Sequence, residues 1–310
     1  KGVNLLLNTG VSDLASVDSH LHLTLTNQEE IDTDLVISSV GVVPESTLAQ
    51  NAGLTLGIRN TIGVNDQLQT SDPDIYAVGD AINITNWITG LEGTIPLAGP
   101  ANRQGRNVAK IIYGESLSSN RTMGSAVLKV FDLTAASTGM SEEGLKAANI
   151  SYRKTYVHPG SHAGYYPGAT QIQMKLLFNE DGKILGAQAV GYEGVEKRID
   201  VIASSIYYGG TVYDLENLEL CYAPPYSSAK DPVNMLGFTA SNILRKEMKV
   251  FYAEDISNLD LNEVQLVNVN TEEEAIMANI EGSIKIPLDS LRARMGMLDP
   301  QKPVYVYCMV

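Results

Sequence analysis

Cysteine is scarce in this chain: there are two in 310 residues, with four scattered histidines. Their spacing excludes a disulfide framework and predicts no metal site. Basic residues are also few, because 22 Lys and Arg stand against 36 Asp and Glu, a net charge of -14. This charge argues against a nucleic-acid partner or an anionic membrane surface. It leaves room for an anionic small molecule, which needs only a few local Lys or Arg.

Long apolar runs are missing as well. No run reaches the length of a membrane span, and no signal-peptide pattern opens the chain, so we expect a cytoplasmic protein. The G-x-G-x-x-G turn that cradles dinucleotide phosphates is absent, and the chain begins Lys1-Gly2 without Met. We interpret the sequence as a piece of a longer protein. Its apolar content of 44% suffices for the cores of two or three domains.

The most informative stretch spans residues 70–80, which read TSDPDIYAVGD. Ile75 to Val78 is predicted as a short strand that ends in Gly79 and Asp80, at the edge where open α/β sheets bind ligands. Gly79 has no Cβ, so backbone can approach a bound group closely. Asp80 can accept a charge-assisted hydrogen bond from a hydroxyl. Taken alone, a strand followed by Gly-Asp is more often a turn than a site.

A helix is predicted to follow, from Pro96 to about Tyr113. Pro100 suits its first turn, and Gly114 suits its C-terminal cap. One face carries small or apolar residues at helical spacing, which predicts close packing of that face: Ala101, Gly105, Val108, Ala109 and Ile112. The amino end of such a helix has unpaired amides and partial positive charge, so it can stabilise a negative group.

These two segments resemble the second flavin-binding motif of the pyridine nucleotide-disulfide oxidoreductases and the helix after it. The resemblance implies FAD and NAD(P)H as cofactors, with Asp80 on the ribityl chain and the helix entry facing the flavin's pyrimidine edge. The residues for which it implies flavin binding are Gly41, Gly79, Asp80, Ala81, Pro96, Leu97 and Ala98.

The resemblance also implies that the first part of the chain forms partial Rossmann-like α/β domains. Residues 1–43 resemble the end of an NAD(P)H-binding domain and contain two β-like runs, at 21–25 and 35–43. The second run is continuously apolar, as in strands that are buried on both faces. Residues 44–120 resemble the later half of an FAD-binding domain.

Residues 121–244 resemble the family's α+β dimerisation domain, so a homodimer is implied. Strands are predicted at 126–133, 151–157 and 172–178, with a tight turn at 179–182 before the next strand. A short helix capped by Ser141 and a helical apolar stripe from Val195 to Ile206 complete the pattern. Antiparallel strands with helices on one face fit an α+β domain.

Residues 245–310 are predicted as a linker followed by a truncated rhodanese-like α/β domain. The linker covers 245–260, and the last strand runs from Val304 to Cys308. The resemblance makes Cys308 the sulfur-carrying thiol of a complete rhodanese domain; by itself, a strand-end Cys is more often buried. Residues 268–270 read Asn-Val-Asn, where rhodaneses usually carry an acidic residue and an Arg. The loop that would lower the pKa of Cys308 is not in the sequence.

Two tyrosine-containing segments carry the catalytic hypothesis. Residues 222–232 read YAPPYSSAKDP and resemble the stretch that reaches the partner's active site in coenzyme A-disulfide reductases, related NADH oxidases and persulfide reductases. The resemblance places Tyr222 near the reactive sulfur, with Tyr165 or Tyr166 as a second phenol. A phenol can donate a hydrogen bond to a departing thiolate, although buried tyrosines commonly only pack.

The resemblance therefore implies an FAD-dependent NAD(P)H:disulfide oxidoreductase that reduces coenzyme A disulfide, persulfide or polysulfide, with rhodanese-type sulfur handling. The cysteine that FAD would reduce lies in a part that the sequence does not contain. A water-forming NADH oxidase is the first alternative, which the rhodanese-like tail disfavours. A non-catalytic dimerisation module is the second, which the flavin content of the purified chain would distinguish.

Overall fold

The computed structural model describes residues 3–118 and 120–308, and these divide into two compact units between Glu45 and Ser46. The first unit is built on an antiparallel meander of β1 (Val11–Val17), β2 (His20–Leu25) and β3 (Glu30–Thr33). Its buried apolar side chains come from β2, where Leu23 and Leu25 alternate with more exposed residues. This is the period-two pattern of a strand with one buried face.

Residues 35–43 do not form the buried strand that their apolar sequence predicts. They have no regular secondary structure, and the side chains of Ile37 and Val40 are 83% and 95% exposed. A strand buried on both faces needs hydrogen-bonded neighbours and covering helices. In the described part of this unit, strand pairing ends at Thr33. Apolar composition without a partner strand is therefore not enough to make a strand here.

The second unit holds the remaining elements. Its helices are α1 (Thr47–Asn51), α2 (Ala98–Ile112), α3 (Glu142–Ala147), α4 (Val195–Tyr207), α5 (Val212–Asn217), α6 (Pro232–Leu244), α7 (Glu272–Met277) and α8 (Leu288–Arg294). Its strands are β4 (Ile84–Asn86), β5 (Glu92–Gly93), β6 (Arg121–Thr122), β7 (Ala126–Val130), β8 (Leu133–Gly139), β9 (Arg153–Val157), β10 (Gln173–Phe178), β11 (Ile184–Gly191), β12 (Gln265–Asn268), β13 (Ile284–Lys285) and β14 (Val304–Tyr307). Short 3₁₀ helices cover Ile58–Asn60, Ala253–Asn258 and Met295–Met297. Across the described ranges, none of these helices has the length and apolarity to cross a membrane.

Helix α2 lies where the sequence predicts it. Leu97 is its N-cap, and Gly114 follows its C-cap with a φ of +94°, a left-handed conformation that favours glycine.

The packed face of α2 differs from the predicted one. Gln104, Val108 and Ile111 face a small core that includes Leu68 and Ile82. The face that carries Gly105, Ala109 and Ile112 is instead exposed. The inward position of Gln104 is possible because its side chain is hydrogen-bonded, which removes the cost of burying an amide. Hydrophobic periodicity does not reveal such a position.

The α+β domain is a five-stranded antiparallel sheet in the order β7-β8-β11-β10-β9. Helices α4 and α6 pack on it. As predicted, the apolar stripe of α4 faces this core through Val195, Ile199, Ile202 and Ile206. Ser141 also caps α3 as predicted, since its hydroxyl accepts the Gly144 N–H. The predicted strand at 126–133 is wrong: a hairpin turn at Phe131, with a φ of +52°, divides it into β7 and β8.

The C-terminal part contains a three-stranded parallel sheet in the order β13-β12-β14. Thr271 begins α7 through a capping box with Glu274. The segment predicted as a linker is partly ordered against the α+β domain. The Tyr252 hydroxyl donates to the Lys154 carbonyl at 2.7 Å, and Glu254 pairs with the Lys154 ammonium.

An ionic cluster around Glu142 joins α3 to β9 and β10. Its carboxylate pairs with Lys175, accepts from Lys154 at 3.2 Å and accepts the Tyr152 hydroxyl at 2.7 Å. Burial alone would raise the pKa of Glu142, but hydrogen bonds from Lys175, Tyr152 and Lys154 outweigh it and lower the pKa to about 2 from 4.5.

We expect Glu142→Gln to lower the free energy of unfolding by roughly 2 kcal/mol at pH 7, because a depressed carboxyl pKa is stabilising wherever the carboxyl is ionised. This stability is fully present above the ordinary pKa of 4.5 and is lost as the pH falls through about 2. Denaturant titrations at pH 7 and pH 2 measure it. Glu143→Gln, on the exposed neighbour in the same first turn, is the control. Equal effects of the two variants at pH 7 would contradict the prediction.

Candidate functional site

The Gly79 turn has a left-handed backbone conformation and open space around it. Its φ is +87°, and a Cβ at Gly79 would meet no atom within 4 Å. Residues 75–78 do not form the predicted strand, because their pairing is limited to an isolated bridge between Tyr76 and Gln69. Ile75 and Val78 are each 38% exposed. The Gly79 backbone therefore presents an open surface, and only glycine adopts this φ without strain.

Gln104 is a candidate site residue that the sequence motif does not reveal. It is 3% exposed, and its side-chain oxygen accepts the Gly79 N–H at 2.9 Å. This bond ties the Gly79 turn to α2, the helix predicted to face the flavin. The available signal was a polar residue at helical spacing from Val108 and Ile111.

Five further predicted flavin-binding residues lie in the Gly79 turn and at the start of α2. Asp80 presents an exposed carboxylate next to half-buried Ala81. Pro96 and Leu97 lead into α2, whose first residue is Ala98 and whose first turn has no side-chain cap. Uncapped amides attract a negative group, and an exposed carboxylate accepts hydroxyl donors. A flavin with a hydroxylated chain and an anion-forming ring edge fits this donor and acceptor set. Gly41 lies in the first unit, in residues 35–43, with a φ of +89°.

Two phenols meet on the α+β domain. The Tyr165 and Tyr222 hydroxyl oxygens are 3.0 Å apart, although 57 residues separate them in the chain. The hydrogen bond from Tyr165 raises the pKa of Tyr222, and both rings reach solvent, with Tyr165 77% exposed. Tyr166 has a different environment, because its ring packs edge-on against His162 at a centroid distance of 5.7 Å. The structure thus brings Tyr165, not Tyr166, to Tyr222.

The predicted thiol Cys308 is exposed immediately after β14, contrary to the burial expected of a cysteine at a strand end. It follows a strand of the parallel sheet, whereas Tyr165 and Tyr222 lie in two loops of the α+β domain, residues 158–172 and 218–231, which we call the tyrosine loops. Cys221, interpreted from the sequence as a structural thiol, is also exposed and directly precedes Tyr222.

Two sequence models of one family match the chain. Residues 1–105 match the one described as pyridine nucleotide-disulphide oxidoreductase, and residues 125–232 match the one described as its dimerisation domain.

Individual relatives agree with this match. The chain is 35% identical over 233 residues to a coenzyme A disulfide reductase of Staphylococcus haemolyticus, which is 74% of this chain and 52% of the relative. It is 38% identical over 215 residues to an NADH oxidase of Methanocaldococcus jannaschii, 69% of this chain and 47% of the relative.

Two solved structures are similar over almost the whole chain. The reduced CoADR-RHD protein of Bacillus anthracis is 49% identical with a TM-score of 0.91, over 97% of this chain and 54% of that one. The NAD-dependent persulfide reductase from A. fulgidus is 35% identical with a TM-score of 0.91, over 99% of this chain and 56% of that one. The chain therefore spans about half the length of the relatives it matches.

Proposed function

The chain belongs to the pyridine nucleotide-disulphide oxidoreductase family, and we propose that its protein is an FAD-dependent NAD(P)H oxidoreductase that reduces coenzyme A disulfide, persulfide or polysulfide. Members of this family bind FAD and NAD(P)H. Support for the substrate class comes from the similarity to a coenzyme A disulfide reductase and to a persulfide reductase.

The observation that carries this proposal is the contact between the Tyr165 and Tyr222 hydroxyls at 3.0 Å. In such a pair one phenol donates to the other, and the second keeps its own proton for an external acceptor. A thiolate that leaves a disulfide is such an acceptor. The pair can therefore hold a proton where the leaving sulfur develops negative charge.

The flavin half of the proposal uses other residues of the chain. When bound, FAD supplies a two-electron carrier between NAD(P)H and a disulfide. Asp80 would accept hydrogen bonds from its hydroxylated chain, and the uncapped start of α2 at Ala98 would stabilise negative charge on its ring. Gln104 keeps the Gly79 turn and α2 together, so that both binding features keep their spacing.

Sulfur handling by Cys308 is part of the same proposal. Support comes from the position of this exposed thiol at the carboxyl end of β14 in a parallel sheet, the edge at which such sheets bind ligands.

We propose a homodimer formed through residues 121–244, since residues 125–232 match the dimerisation domain of the family. Two-fold dimers are the commonest assemblies, and each tyrosine pair would then serve the partner's thiol. Sedimentation of the complete protein as a monomer at micromolar concentration would contradict this assembly.

The substrate is tested by anaerobic NAD(P)H oxidation by the complete protein with coenzyme A disulfide or persulfide. We expect stoichiometric release of coenzyme A thiol. The second candidate is a water-forming NADH oxidase, favoured by the similarity to the NADH oxidase of M. jannaschii. Oxidation that occurs only with oxygen, with water as its product, would establish that alternative.

Asp80→Ala is expected to release most of the flavin on purification, because it removes the charged acceptor for the hydroxylated chain. The ratio of flavin to protein absorbance measures the loss. Asp66→Ala is the matched control, since Asp66 is an exposed carboxylate in a neighbouring turn. Full flavin occupancy in Asp80→Ala would refute the assignment of Asp80.

A further inference from the structure

Arg198 in α4 is a buried cation that contacts both tyrosine loops, through Ser161 and Ser227. It is 1% exposed, and a buried charge is tolerated only when it is paired and hydrogen-bonded. Its Nη2 donates to the Ser161 carbonyl at 2.8 Å and to the Asp231 carboxylate at 3.2 Å. One guanidinium therefore satisfies groups from segments far apart in the sequence.

These partners flank the two tyrosines. Ser161 precedes Tyr165 by four positions, and Ser227 follows Tyr222 by five. The Ser227 hydroxyl lies 3.3 Å from Arg198 Nη2 and donates to the Asp231 carboxylate at 2.5 Å. The two loops are also joined directly, because the Ala163 N–H donates a hydrogen bond to the Ser227 carbonyl at 3.0 Å. Both loops are therefore held by one buried cluster of Arg198, Ser227 and Asp231, which we call the anchor.

The backbone is shaped around this guanidinium. Gly194 is the N-cap of α4 and has a φ of +67°, and its carbonyl accepts a hydrogen bond from Arg198 Nη1 at 2.9 Å. A Cβ at Gly194 would lie 2.0 Å from that same nitrogen, a distance that no side chain can occupy. Glycine here supplies both the left-handed turn and the space for Nη1.

An arginine suits this place better than a lysine. The planar guanidinium presents donors in a rigid fork, so it can bond to Gly194, Ser161 and Asp231 at once. An ammonium on a flexible stem is a point charge; it would keep the pairing with Asp231 and lose the fixed link between the loops.

We propose that Arg198 is a positioning residue that sets the distance between the Tyr165 and Tyr222 hydroxyls by fixing both loops to one buried anchor. The inference rests on the proposed function for its consequence in catalysis. Its structural part, the distance between the phenols, stands separately. Arg198 acts through the loops that carry the tyrosines, because its hydrogen bonds within the described residues go to Gly194, Ser161, Tyr226, Ser227 and Asp231 and not to a phenol oxygen.

The test compares Arg198→Lys with Arg245→Lys in the complete FAD-bound protein. Arg245, the C-cap residue of α6, pairs with Glu216 and has a side chain that is 42% exposed, so its variant controls for the loss of a guanidinium. In the Arg198→Lys crystal structure we expect the two phenol oxygens to move beyond hydrogen-bond distance. We expect flavin reoxidation by coenzyme A disulfide to slow about 10²-fold, because displacement of a catalytic group by about 1 Å costs that much. Flavin reduction by NAD(P)H should not change.

A double variant separates positioning from general damage. If Arg198 acts through the tyrosines, adding Arg198→Lys to Tyr165→Phe should slow reoxidation little further, because the pair is already broken. Full multiplication of the two effects would overturn the proposal. An unchanged phenol distance in Arg198→Lys would overturn it as well.

Ser227→Ala gives the same test with a smaller change if Arg198→Lys does not fold, since it removes one hydroxyl from the anchor. Phenols that stay 3.0 Å apart with unchanged reoxidation in this variant would then refute the inference. If the wild-type protein does not reduce coenzyme A disulfide, the proposed function fails. The phenol distance in the variants still decides the role of Arg198.

Discussion

Tyr222→Phe is expected to slow the disulfide-dependent reoxidation of the flavin by about 10²–10⁴-fold, the usual contribution of a positioned proton donor. The variant removes one hydroxyl from the pair whose oxygens are 3.0 Å apart and keeps the ring. Flavin reduction by NAD(P)H should be unaffected, because no thiolate leaves in that step. Stopped-flow absorbance measures the two half-reactions separately in the complete protein.

Tyr226→Phe is the matched control for this experiment. Tyr226 lies in the same loop as Tyr222 and is 72% exposed, so its variant removes a phenol hydroxyl without breaking the pair. We expect wild-type rates for both half-reactions. If Tyr222→Phe instead slowed flavin reduction and reoxidation equally, Tyr222 would be structural and the proposed proton donor would be lost.

Gly237→Ala is expected to lower the free energy of unfolding by about 3 kcal/mol, the upper range for overpacking a core. Gly237 lies in the middle of α6, where alanine would normally add about 1 kcal/mol of helix stability. A Cβ there would lie 2.3 Å from the Glu216 backbone nitrogen and 2.7 Å from the Leu215 carbonyl carbon, both in α5. The steric clash therefore reverses the sign of the usual effect.

Denaturant midpoints and slopes measure this change. Gly105→Ala in α2 is the matched control, because a Cβ at that helical glycine meets no atom within 4 Å; we expect a gain of up to about 1 kcal/mol. A stabilised Gly237→Ala variant would show that α5 can move away from α6. Since α6 begins next to Asp231, such movement would also reach the anchor of the tyrosine loops.

Local sequence signals predicted those parts of the fold that depend only on residues close together in the chain. The bounds of α2 follow from Pro100 and Gly114, and the buried stripe of α4 follows from helical spacing. The cap at Ser141 is a bond over three residues. Gly79 was identifiable as the residue without a Cβ at the end of a predicted strand, and the structure adds its left-handed φ of +87°.

Features that depend on a neighbour could not be predicted in this way. Residues 35–43 have the composition of a buried strand and yet are exposed, because a strand requires partners that composition does not encode. The packed face of α2 contains Gln104, whose burial depends on a backbone N–H 25 positions away.

The sequence by itself determined the family, the order of the segments and the short motifs, because each depends on residue types at fixed spacing. Only the tertiary structure decided that Tyr165 and not Tyr166 contacts Tyr222. Both residues are tyrosines, so residue type cannot distinguish them, whereas their side chains point in different directions in the folded loop. The tertiary structure also decided that Arg198 joins the two tyrosine loops. From sequence alone, an arginine is expected at the surface. Arg198 can be buried only because the fold places carbonyl groups and a carboxylate next to it, and these compensate the loss of hydration.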